Sequence, residues 1–204
     1  MRPLEIIAVL IIVSLLVLWA VWLRASRLDR LHRKVVSARA VVAAQLVRRG
    51  SVAAELATSG LLDPVSSVVL GESAWQALAV STTASTTAPD ARAVLGDAAS
   101  AVQPAPGPAE SELTAALTEL LSDDLEVERL RADPLGAELL DQLAAAWYRV
   151  QLARRIHNEA VAQALRVRRG WMVRTFHLAG HAAEPKTLEL DDSMPATLSE
   201  QRGS

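Results

Sequence analysis

Few side chains here have the capacity for chemistry, and their spacing decides how each is read. His177 and His181 stand four apart, which on a helix would place both rings on one face, as in a zinc site. Zinc needs three or four ligands, and no third group follows at a recognised interval; Gly180 also weakens a helix there. The two are read as exposed or interfacial histidines, and no metal is expected. His157, beside Asn158, falls on an apolar seam, where a polar pair fixes helix register rather than performing catalysis. Asp123, Asp124, Glu126 and Glu128 gather carboxylates of the kind used in acid–base or metal chemistry. They lie on an ordinary polar face, so a solvated surface or a partner for basic helices is the expectation. No Gly-rich phosphate loop, nucleophile elbow or Cys/His cluster occurs. The chain is therefore expected to have no catalytic residue, no cofactor and no enzymatic activity.

The most suggestive cluster is Arg166, Arg168, Arg169, Trp171, Met172, Arg174 and Phe176. Basic residues interleaved with aromatics suit contact with nucleic acid or with a layer of lipid headgroups. The same pattern also describes a segment that closes a bundle and leaves its arginines solvated. The lipid reading takes priority over nucleic acid because of the first stretch of the chain.

That stretch, Ile6 to Leu23, reads IIAVLIIVSLLVLWAVWL: eighteen residues without a charge, Ser14 being the only polar one. As a helix it spans roughly 27 Å, close to the hydrocarbon thickness of a bilayer. Trp19 and Trp22 stand at its far end, where indoles favour the headgroup region. A signal peptide would begin with a basic cluster and end in small residues. Here the end is bulky, so the segment is expected to be an uncleaved anchor, residues 1–23 forming the N-terminal segment and span. Arg2 precedes it; Arg24, Arg27, Arg30, Arg33 and Lys34 follow within eleven residues. The positive-inside bias then places the N-terminus outside and the rest in the cytoplasm, as a single-pass protein of the cell membrane.

The remaining 24–181 is expected to be one helical-bundle domain, followed by a disordered acidic tail over 182–204. Only 3% of the 204 residues are aromatic and there is no cysteine, which favours helices and excludes a disulfide framework. Leu28, Leu31, Val35, Ala38 and Val42 follow a helical spacing, and the helix is expected to end near Thr58, before Ser59-Gly60. Asp63-Pro64 opens a second helix carrying Val65, Val68, Val69, Trp75, Leu78 and Val80. Ser81 to Pro89 is expected to be a loop, Asp90 to Val102 a short helix, and Gln103 to Pro108 a break. A fourth helix covers Ala109 to Ala132. Asp133-Pro134 starts the longest helix outside the span, with a seam through Leu139, Leu143, Ala146, Val150, Ala153, His157, Ala160 and Ala164, ending at Gly170. The fold class is all-α: one N-terminal transmembrane helix continuing into an antiparallel bundle of about four long helices. Such coiled-coil-like seams leave room for a homo-oligomer.

Net charge is −2, but it is segregated. Residues 24–58 carry +6, 108–133 carry −6 and 134–181 carry +4. Opposite blocks in one chain point to packed partners rather than a nucleic-acid surface.

Two stretches carry a resemblance. RLDRLHRKVVSARAVVAAQLVRRGSVAAELA is similar to the first helix of LemA family proteins, with Gln45, Leu46, Arg48, Arg49 and Leu56 matching a QLKRRxDLIPNLV motif. Ser51, Ala54 and Glu55 stand where the family has Asp, Pro and Asn. LARRIHNEAVAQALRVRRGWMVRTFHLAGHAAEPKTLELDD resembles the family's ARRxYNDAVRxYN segment through Arg154, Arg155, Asn158, Ala160 and Val161, with His157 in place of Tyr. The resemblance implies one N-terminal membrane helix, an antiparallel long-helix bundle and a cytoplasmic C-terminal domain. It carries over no catalytic residue. The expected function is a non-enzymatic membrane-anchored scaffold or adaptor, with the bilayer as one partner through Ile6–Leu23 and an unidentified protein as another. An extracytoplasmic bundle, and a metal-dependent enzyme, are the alternatives.

Overall fold

The computed structural model describes residues 3–86, 107–170 and 185–199. Among them every regular element is helical: α1 (Pro3–Thr58), α2 (Pro64–Thr86), α3 (Gly107–Leu120), α4 (Asp124–Ala132), α5 (Pro134–Arg168) and the single turn α6 (Ala196–Ser199). The chain divides into two compact units, Met1–Ser37 with Asn158–Thr187, and Ala38–His157 with Leu188–Ser204.

The second unit is a helical bundle. Its main core takes Val52, Ala53, Leu56 and Ala57 from α1 and Leu70, Ala74 and Ala77 from α2. Leu113 and Leu117 come from α3, Val127 and Leu130 from α4, and Leu139, Leu140, Leu143 and Trp147 from α5. A second cluster joins Val42 and Leu46 of α1 to Val150 and Ala153 of α5. Higher numbers on α1 meet lower numbers on α5, so within this unit the two run antiparallel. The seam read along the long helix is buried at every one of its eight positions.

Helix ends follow the signals in the sequence. Asp63 Oδ1 accepts the N–H groups of Val65 and Ser66, and Asp133 Oδ1 those of Leu135 and Gly136. Gly60, at φ 76°, takes the left-handed conformation that stops α1.

Three expectations are corrected, and the face that α2 buries, left open by its spacing, is settled. The supposed loop from Ser81 is helical as far as Thr86, because Thr82 and Thr83 bond back to the carbonyls of Leu78 and Ala79 and Ser81 is buried against α3. The helix over Ala109–Ala132 is two: Ser122 bonds the Glu119 carbonyl, and Asp123 caps a new start at Asp124 by accepting the Leu125 N–H. On α2 the large residues Val65, Val68, Val69 and Trp75 face outward, and the buried stripe is Leu70, Ala74, Ala77 and Ser81. The stretch read as disordered tail is packed over 188–198: Leu188 and Leu190 lie on the second cluster, and Met194 and Leu198 on the first. The short helix placed at Asp90–Val102 lies outside the described residues.

The first unit has a small core of its own, Val35 with Ala160, Val161 and Ala164, flanked by Leu31 and Leu165. Among the described residues no helix is long and apolar enough to cross a membrane. The expected Ile6–Leu23 span lies in the first half of α1.

Candidate functional site

The densest polar arrangement lies inside the second unit, and it is built on residues that interrupt apolar stripes. On α1, Val42, Leu46, Arg49, Ala53 and Leu56 recur at helical spacing and all are buried, Arg49 included. On α3 the same holds for Glu110, Leu113, Leu117 and, just past its end, Leu121. The two charges meet: Arg49 Nη2 lies 2.8 Å from Glu110 Oε2, with both side chains essentially inaccessible.

Every strong acceptor in this pair is satisfied. Arg49 also donates to the Glu110 carbonyl (3.1 Å) and to Thr114 Oγ1 (3.2 Å). Ser81 of α2 donates to the other Glu110 oxygen at 2.7 Å. Trp147 of α5 lies beneath the guanidinium, 5.2 Å from charge centre to ring centroid, a cation–π distance. Arg49 Nε has no hydrogen-bond partner among the described residues. Burying two charges in apolar surroundings is tolerated when each is paired and hydrogen-bonded, which is what α2, α3 and α5 supply.

The C-terminal segment closes the arrangement. The Asp192 carbonyl accepts from Trp147 Nε1 (2.9 Å) and Gln151 Nε2 (2.7 Å). Its carboxylate takes a two-pronged bond from Arg154, 2.7 Å on each arm. Thr114 Oγ1 lies 2.9 Å from both the Glu110 and Asp191 carbonyls, so one hydroxyl proton serves two acceptors. Backbone and hydroxyl bonds from Ser193 hold the Asp191 carboxyl below its ordinary pKa. Thr197 donates to the Leu121 carbonyl at 2.9 Å. Residues 188–198 thus form a strap tied to α3 and α5.

Chemically, the Ser81–Glu110 contact is a hydroxyl on a carboxylate, but both are buried and engaged by internal partners, so the cluster joins helices rather than presenting a nucleophile. Among the described residues no group of three His, Cys, Asp or Glu is placed to hold a metal ion. Of the acidic patch, Asp123 is a helix cap, Glu126 pairs with Arg129, and Asp124 and Glu128 are exposed. His157 is buried on its seam. Of the basic–aromatic cluster, Arg166 and Arg169 are exposed and Arg168 is half-buried at the end of α5. Trp171, Met172, Arg174 and Phe176 lie outside the described residues, as do His177 and His181.

Sequence reasoning passed over Arg49–Glu110 as a pair. The signal was available: one cation and one anion each sit in register on an otherwise apolar stripe. No family model, no curated protein and no solved structure matches the chain.

Proposed function

We propose that the chain is a non-enzymatic, single-pass protein of the cell membrane, N-terminus outside, whose LemA-like helical bundle acts in the cytoplasm as a scaffold or adaptor. The observation that carries this reading is the surface of α1 from Leu10 to Trp19. Its apolar side chains are 43–64% exposed, and ten successive positions make nearly three turns, so every side of the helix is apolar and uncovered. Continuous apolar surface of that kind is rarely left to water, and a bilayer covers it on all sides at once. The Lys/Arg bias after Leu23 supplies the orientation.

The scaffold part rests on two further features. The buried polar cluster ties α1, α2 and α3 together through the Arg49–Glu110 pair and Ser81, which suits a rigid support. One face of α2 presents Val65, Val68, Val69 and Trp75 outward, apolar area of the sort that protein partners cover. Arg49 and Arg154, two residues of the LemA-like stretches, make the ion pairs that fix α1 and the strap.

The test uses the full chain with C-terminal reporters, one active only in the cytoplasm and one only outside it, together with alkaline carbonate extraction. Retention in the membrane with an active cytoplasmic reporter is expected. Activity of the external reporter alone would move the bundle to the other side; release by carbonate would remove the anchor.

A further inference from the structure

We propose that the unit formed by Met1–Ser37 and Asn158–Thr187 carries a cationic collar that binds the phosphate headgroups of anionic phospholipids. This rests on the membrane reading above and names the lipid class it would contact.

The collar follows from a small apolar contact. Leu31 and Val35 of α1 pack with Ala160, Val161, Ala164 and Leu165 of α5. That contact joins two basic segments more than 130 residues apart: Arg27, Arg30, Arg33 and Lys34 on α1, and Arg166, Arg168 and Arg169 at the end of α5. Each of the seven lies within four residues of a packed one, about 6 Å along a helix axis. Six are exposed and Arg168 is half-buried. By the same measure the carboxylates are two, Asp29, which Arg33 engages at 2.8 Å, and the exposed Glu159, against seven cations.

Arginines at a helix C-terminus complement the negative pole of its dipole, and that accounts for one or two charges. It does not account for the α1 arginines gathered beside them. Their position on α1 supplies the reason. Leu10–Leu23 is apolar, Trp19 and Trp22 are exposed toward its end, and Arg27 follows one turn later. Hydrocarbon, interface and phosphate succeed one another in that order in a bilayer leaflet. Guanidinium groups offer paired donors that fit phosphate oxygens, and anionic lipid adds the net charge that zwitterionic lipid lacks. Nucleic acid offers the same phosphates but nothing to cover the apolar surface of the same helix.

The full chain is incorporated into phosphatidylcholine vesicles holding a trace of fluorescent phosphatidylglycerol or fluorescent phosphatidylcholine, and energy transfer from its tryptophans reports which lipid sits next to it. Phosphatidylglycerol should be preferred severalfold at low salt and lose that preference at about 1 M salt, where screening shortens to a few ångströms. Changing Arg166, Arg168 and Arg169 together to Gln should cut the preference at least about fivefold, and Lys at the same positions should keep the charge-dependent part of it while losing the paired guanidinium bonds. Arg27→Gln with Arg30→Gln, on the other helix, should have the same effect. Incorporation without preference, or a preference untouched by the Gln changes, overturns the collar and leaves the anchor standing. Failure to incorporate into either vesicle overturns both. RNA binding that the Gln changes abolish, without lipid preference, reassigns the cluster to nucleic acid and overturns the collar.

Discussion

Arg49 and Glu110 form a pair whose members cannot be removed singly. Arg49→Met leaves the Glu110 carboxylate buried with Ser81 as its chief remaining side-chain partner, and an uncompensated buried charge costs about 3–5 kcal/mol. Denaturant unfolding of the full chain in mild detergent should show that loss. The double change Arg49→Met with Glu110→Leu should recover much of it, because neither charge then remains; losses that simply add would show the pair is not coupled. At the surface the acids act differently. Asp63 is held below its ordinary pKa first by its bonds to Ser66, and Asp191 by those from Ser193. In each the folded state binds protons less readily than the unfolded chain. Their contribution is therefore complete above the ordinary carboxylate range, about pH 4, and is lost as pH falls through the depressed values. Protection of the Val65, Ser66 and Ser193 amides, measured as exchange relative to the intrinsic rate, should fall on acidification below about pH 4, and Asp63→Asn should remove that pH dependence at the first two only. Capping by Asp63 and Asp133 was legible in Asp-Pro, since Asp offers the acceptor and Pro needs no donor. The Ser81–Glu110 bond was not legible, because a serine in STTASTTAP gives no local sign of what a distant helix will place against it.

At the scale of elements, the α4–α5 junction is a close one. A Cβ built on Gly136 would run into the Leu130 carbonyl oxygen, a backbone atom with little room to yield. Gly136→Ala should cost about 1–3 kcal/mol although alanine is the better helix former, and thermal unfolding would show it. A stabilised variant would mean that the junction opens freely. Leu143, fully buried on α5, and Glu128, exposed on α4, give a contrast. Leu143→Asp should prevent folding, while Glu128→Gln should stay within about 0.5 kcal/mol, as circular dichroism and denaturation would report. The seam containing Leu143 was legible because eight positions keep one spacing. The break between α3 and α4 was missed because Leu120, Leu121, Leu125 and Leu130 keep a helical rhythm straight through it, and only Ser-Asp marks the cap. On α2 the period alone could not choose a face, since valines and tryptophan occupy one side and Leu and Ala the other. The side with Ala74, Ala77 and Ser81 was buried, where small residues let neighbouring helices approach closely.

At the scale of the whole chain, the all-helical class was legible from composition and period, and the matching of charge blocks in part. The acidic block does meet the basic first helix, through Glu110 and Arg49. On the basic long helix Arg154 is engaged by Asp192, from a stretch that lacks periodicity and so read as disordered. Packing of such a segment is decided by pockets on other elements, which no local pattern reveals. The strap that Asp192 anchors also bears on time. Its polar contacts join residues 38 to 80 positions apart, and they need helices α3 and α5 already in place to receive them. Interactions of that kind belong to the late side of a folding barrier. Asp192→Ala should therefore speed unfolding about tenfold for each 1.4 kcal/mol it removes and leave the refolding rate nearly unchanged, a split that stopped-flow measurement on both limbs would resolve. By that reasoning the strap governs how long the bundle persists once formed, and has little say in how quickly it forms.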